Sequence, residues 1–90
     1  MKSFKCIVQA FNGLDAKAAM QLARKAQEYS SVIIVICAEK KANVRNVMEL
    51  VGLKAEVGAE LIFAIDGEDE EQAEMGLRTV CRRCLQPDNL

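Results

Sequence analysis

Asp15 and Lys17 lie two residues apart in the stretch Asn12-Gly13-Leu14-Asp15-Ala16-Lys17-Ala18, between a strand-like segment and a helical one. A carboxylate so placed can act as a nucleophile that takes up a phosphoryl group as an acyl phosphate, with the lysine ammonium offering a compensating charge. At a helix N-terminus, however, the carboxylate is held ionised and repels the incoming donor. Lysine is also a point charge, without the bidentate fork of arginine. A plainer role suits Asp15: aspartate is among the best N-cap residues, worth about 1 kcal/mol over alanine. No imidazole competes for either task, because the 90 residues contain no histidine.

Cys81-Arg-Arg-Cys84 is the other constellation with chemical potential. A redox pair of the thioredoxin type opens a helix, where amides and dipole lower the thiol pKa. This pair falls near the C-terminal end of a helical segment, where the dipole raises it instead. A zinc site wants four ligands, usually from two paired motifs. Cys6 and Cys37 are isolated and histidine is absent, so no metal is expected. The four cysteines therefore read as small apolar residues of a protein in a reducing compartment. A redox or metal role through Cys81 and Cys84 would require accessible thiols.

The elements that position these residues follow from periodicity. Residues 4–10 alternate, with Phe4, Cys6, Val8 and Ala10 on one face, as in a half-buried strand. Asn12-Gly13 breaks it, and Asp15 caps a helix reaching about Tyr29, with Ala19, Leu22, Ala23, Ala26 and Tyr29 on its apolar stripe. Val32–Cys37 is a β-branched run. Glu39-Lys40 turns it back into a short strand, 41–44, and Asn46 caps a short helix through about Leu53. Glu60–Asp66 alternates as the last strand, and Gly67-Glu68-Asp69 leads into a final helix over 70–85. That helix carries acidic residues in its first turn and Arg82-Arg83 in its last, as the dipole favours. The order β-α-β-β-α-β-α predicts an α+β open-faced sandwich, a four-stranded antiparallel sheet with helices on one face. Residues 1–85 make one domain, and 86–90 a frayed tail.

The loop 12–18 resembles the active-site loop of HPr, the histidine-containing phosphocarrier family of the bacterial phosphoenolpyruvate:sugar phosphotransferase system. That loop reads Gly-Leu-His-Ala-Arg-Pro. Asp15 stands at the position of the phosphorylated histidine, Lys17 at the arginine and Ala18 at the proline. The resemblance extends without gaps over residues 1–85. It includes Val47-Met48-Glu49-Leu50 after the second cap and Gly67-Glu68-Asp69-Glu70 before the last helix. It implies the same sandwich fold. It also implies a relay in which an imidazole takes phosphate from enzyme I and gives it to sugar-specific permease domains. A serine before the short helix is, in many members, phosphorylated by a regulatory kinase. Here that position holds Asn46, which caps a helix equally well but has no hydroxyl. A first site that cannot be phosphorylated also resembles the catabolite-repression branch of the family, although that branch keeps the serine. Partner docking, by the same resemblance, uses Leu14, Lys17, Ala18, Met20, Arg24, Val47, Met48 and Val51.

The expected function is a regulatory or adaptor module that binds a partner protein: enzyme I, a permease domain or a transcriptional regulator. The alternative is a phosphocarrier working through Asp15. Neither reading makes the chain an enzyme or calls for a cofactor. Twelve basic residues balance thirteen acidic ones, with no basic block to suggest nucleic acid. The longest apolar run, 32–38, is far short of a membrane span, and no signal peptide is expected, which points to the cytoplasm. The sheet face away from the helices should carry Ile7, Val32, Ile34, Ile36, Ile62 and Ala64. Family members usually place polar groups at many of these positions. So large an apolar patch predicts self-association, by sheet-to-sheet packing into a homodimer.

Overall fold

Three of the four strands alternate between buried and outward-facing side chains, and that alternation builds the sheet. The computed structural model describes residues 1–86. Strands β1 (Lys2–Ile7), β2 (Val32–Cys37), β3 (Lys40–Asn43) and β4 (Glu60–Asp66) form one antiparallel sheet in the order β1-β4-β2-β3. Phe4, Cys6, Ile33, Val35, Leu61, Phe63 and Ile65 point inward and are buried. At the centre, Phe4 and Phe63 are cross-strand partners whose rings stack at 4.8 Å. Offset stacking of this kind adds about 1 kcal/mol beyond the area buried.

Helices α1 (Ala16–Ala26), α2 (Val47–Gly52) and α3 (Glu70–Cys84) cover that face. Each contributes an apolar stripe: Ala18, Ala19, Leu22, Ala23 and Ala26 from α1, Leu50 from α2, and Ala73, Leu77, Val80 and Cys81 from α3. The small residues of α1 let it lie close to α3, against which it packs. Among the described residues, no helix is long and apolar enough to cross a membrane.

The element order and sandwich match the expectation, and the boundaries differ for local reasons. The first strand ends at Ile7 rather than residue 10, because the next amides leave the ladder. The Val8 N–H donates to the Ala59 carbonyl, and those of Gln9 and Ala10 both donate to the carbonyl of Leu85. Helix α1 stops at Ala26, three residues early. The amides of Glu28 and Tyr29 turn back to carbonyls three residues behind them, which tightens the chain out of the α-helix. Gln86, expected in the frayed tail, is fastened instead: its amide donates to Cys81 O at 3.0 Å and its side chain to Ile7 O at 3.0 Å. The remainder of that tail, 87–90, lies outside the described residues.

Candidate functional site

The loop before α1 is held from three directions. Its Gly13 amide closes a turn on Ala10 O at 2.9 Å, and the Leu14 amide reaches Ala55 O at 2.9 Å. Leu85, at the other end of the chain, takes the amides of Gln9 and Ala10 at 2.7 and 3.0 Å. Gly13 has φ +69°, and a Cβ there would run into the Ala55 carbonyl, so only glycine fits. The result is a fixed platform from which α1 starts.

Asp15 has extended backbone (φ −86°, ψ −178°), and its Oδ1 accepts from the Ala18 amide at 3.0 Å while its carbonyl takes the Ala19 amide at 2.8 Å. This is N-cap geometry. The carboxylate lines a cavity of about 240 Å³ together with Phe11, Asn12, Lys17, Arg83 and Cys84. Asp15 and Lys17 thus both border this cavity. Arg83 and Cys84 come from the far end of the sequence, and nothing local to Asp15 announces them. Phe11, which stands almost wholly in solvent at 94% exposure, is a further member that sequence reasoning missed.

The thiol of Cys84 is half-buried and donates to Gln21 Oε1 at 2.8 Å. Burial pushes its pKa above the ordinary thiol value, and the Asp15 carboxylate adds to this, while Arg83 and Lys17 partly offset it. Cys81 is buried beside Cys6, and both their contact and their burial push the Cys81 thiol strongly up. Neither sulfur of the Cys81–Cys84 pair is poised as a thiolate. Nucleophilic thiol chemistry therefore does not fit this helix end.

At α2 the same economy appears. Asn46 Oδ1 accepts from the Glu49 amide at 3.1 Å, and Asn46 Nδ2 donates to Glu49 Oε2 at 3.3 Å. Glu49 Oε1 in turn accepts the Asn43 amide at 2.8 Å, which joins the cap to the end of β3. Of the expected docking residues, Lys17, Met20, Arg24, Met48 and Val51 are exposed on α1 and α2, with Met48 at 81% and Met20 at 50%, and Lys17 and Arg24 border hollows shared with α3. Val47 is half-buried against the core. Leu14 and Ala18 are corrections to the expected docking set: both are buried, because the loop turns Leu14 inward under the Ala55 carbonyl and α1 directs Ala18 into the core.

Among the described residues, the helices all lie on the other face of the sheet and leave the outer face uncovered. Val32, Ile7 and Ile62 are exposed on it, whereas Ile34, Ile36 and Ala64 are half-buried. Rows across the sheet follow from the register: Lys5–Ile62–Ile36–Lys41 and Ser3–Ala64–Ile34–Asn43.

Three comparisons place this geometry among known proteins. The family model PTS-HPr, described as the PTS HPr component phosphorylation site, matches residues 2–82. Phosphocarrier protein HPr of Mycoplasma capricolum is 34% identical over 73 residues, which cover 81% of this chain and 82% of that one. A Mycoplasma histidine-containing phosphocarrier protein superposes with a TM-score of 0.91 at 28% identity, covering 96% of this chain and all of the other. An HPr dimer from Thermoanaerobacter tengcongensis superposes with a TM-score of 0.72 at 28% identity, covering 92% and 95% of the two chains.

Proposed function

Because this chain belongs to the PTS-HPr family, we propose that it serves the phosphotransferase system as a regulatory or adaptor module rather than as a histidine phosphocarrier. In this reading it works in the cytoplasm, binds a partner protein and catalyses nothing itself. The observation that carries the reading is the use made of Asp15. The residue at the phosphohistidine position spends Oδ1 on capping α1 through the Ala18 amide. Asn46, at the phosphoserine position, caps α2 in the same way. Both positions keep the helix start but hold neither the imidazole nor the hydroxyl of the family pattern, which is what retention of a binding surface without a histidine relay requires.

The surface left for a partner is the outer side of α1 and α2, which exposes Met20, Met48 and Val51 together with Lys17 and Arg24. Apolar anchors ringed by charge are the usual form of a protein-binding patch. Enzyme I, a permease domain and a transcriptional regulator are the partner classes this fold suggests. A second reading concerns the outer sheet face: the apolar centre formed by Ile34, Ile36 and Ile62 pairs two copies of the chain.

The deciding experiment is incubation with enzyme I and labelled phosphoenolpyruvate, followed by intact mass. The expected result is an unmodified chain. A hydroxylamine-labile phosphate that disappears in Asp15→Ala would overturn the adaptor reading and make Asp15 a carrier.

A further inference from the structure

The outer sheet face is self-complementary in charge as well as apolar, in a pattern that distinguishes between ways of pairing it. Its apolar centre runs through Ile62 and Ala64 of β4 and Ile36 and Ile34 of β2. Along β4, the outward positions end in a carboxylate at both extremes, Glu60 and Asp66. Across the strands, the row Lys5–Ile62–Ile36–Lys41 ends in an ammonium at both extremes, on β1 and β3. The two acids are about 20 Å apart along the strand, and the lysine Cα atoms about 14 Å apart across it, before their side chains extend the row. By strand position, acids thus mark one axis of the face and lysines the perpendicular one, with the exposed Met1 ammonium 3.8 Å from Asp66.

A closed dimer uses the same patch on both copies, related by a two-fold axis lying between them. With that axis along the strands through the apolar centre, β4 lies over the partner's β2 and Lys5 falls over Lys41; with the axis straight across them, β4 lies over β4 and Glu60 meets Asp66, so either way like charges meet. With the axis on the diagonal, the strands of the two sheets cross near a right angle, one of the two preferred ways in which sheets pack. The acidic ends of each β4 then fall over the lysine ends of the partner's cross-strand row, while the isoleucines of the two centres meet. We infer that two copies of this chain pair through the outer sheet faces in this crossed arrangement, with Lys5 and Lys41 of each copy opposite Glu60 and Asp66 of the other. This rests on the reading that the face self-associates, and adds its geometry. Within one chain Lys5 already holds Glu60 at 3.2 Å, and both side chains remain at least half exposed, so the pair can be shared across an interface.

The test uses the full chain and sedimentation equilibrium over graded concentration and salt. The wild type is expected to be a dimer that weakens as salt screens the rim pairs. Lys41→Glu, Asp66→Lys and Glu60→Lys should each raise the dissociation constant roughly tenfold. Joining Lys41→Glu to Asp66→Lys or to Glu60→Lys should restore pairing, and whichever does so identifies the diagonal. Thermal melts check that each variant is folded, and Lys41→Gln replaces Lys41→Glu if it is not. A wild-type dimer indifferent to salt and to all three reversals overturns the crossed arrangement and leaves sheet pairing standing. A wild-type monomer at every concentration overturns the pairing itself.

Discussion

Cys84 gives its thiol hydrogen to Gln21 Oε1 at 2.8 Å, and so ties the last turn of α3 to α1 at the rim of the cavity that holds Asp15. Through this contact the C-terminal helix becomes part of the site. Its thiol is a reporter of the electrostatics there, since burial and the Asp15 carboxylate raise its pKa against the opposing pull of Arg83 and Lys17.

Alkylation of native protein near neutral pH should therefore be slow at Cys84 and absent at the buried Cys6 and Cys81. The Cys84 rate should climb as pH rises past the ordinary thiol range. Asp15→Asn removes a negative neighbour, lowers the Cys84 pKa and should speed labelling at a fixed pH. Peptide mapping after iodoacetamide pulses checks this; an unchanged rate in Asp15→Asn would separate the two residues.

Replacing Asp15 by alanine removes the acceptor of the Ala18 amide. The expected loss is about 1 kcal/mol of stability, with asparagine retaining most of it because it too caps. Urea melts of the three proteins give the comparison. Partner affinity should change little in both variants, whereas a working relay through Asp15 would be abolished by either.

Asp69 binds the loop before β2, with its carboxylate accepting from the Ser30 amide at 2.8 Å, the Ser31 amide at 3.0 Å and the Ser31 hydroxyl at 2.5 Å. These bonds, the hydroxyl's first, hold its pKa below the ordinary value of 3.8. A pKa lowered by folding stabilises the native state above the unfolded value, and the effect is lost as pH falls through the folded one. Asp69→Asn should thus melt earlier than wild type at neutral pH and converge with it below pH 3.8. Parallel melting curves across that range test the sign.

Met48 stands on α2 with little contact to the core. Met48→Asp should leave stability within about 0.5 kcal/mol and weaken binding of a partner at the α1–α2 side by about 1 kcal/mol or more. Calorimetric titration with enzyme I or a permease domain reads the difference.

On the opposite surface, Ile34→Lys puts a charge into the centre of the apolar sheet face. Light scattering should then give a monomer mass, with the fold retained because the side chain points away from the core. An unchanged mass would remove the outer face from consideration as a pairing surface.

How much of this was legible in the sequence depended on whether the determinant was local. Asp15 and Asn46 were readable as caps because a cap acts within three residues, and β4 and the α1 stripe because their periodicity is continuous. The end of β1 was not, since it is decided by Leu85, whose carbonyl takes two amides some 75 residues away in the chain. Arg83 and Cys84 at the cavity were hidden for the same reason. Asp69 read as part of a turn, but its side chain makes no cap to α3 and crosses to Ser30 and Ser31. Leu14 has the look of a loop residue free for docking, yet the turn at Gly13 drives it into the core.

The carbonyl of Leu85 also sets an order of events. Among the described residues the first strand has β4 as its sole neighbour in the sheet, and the loop that carries Asp15 is fastened by Leu85, while Gln86 secures the end of that strand. A chain emerging from the ribosome makes its first residues long before these partners exist. The segment leading to the cavity is synthesised early, yet a product ending before Leu85 has no acceptor for the Gln9 and Ala10 amides that hold it.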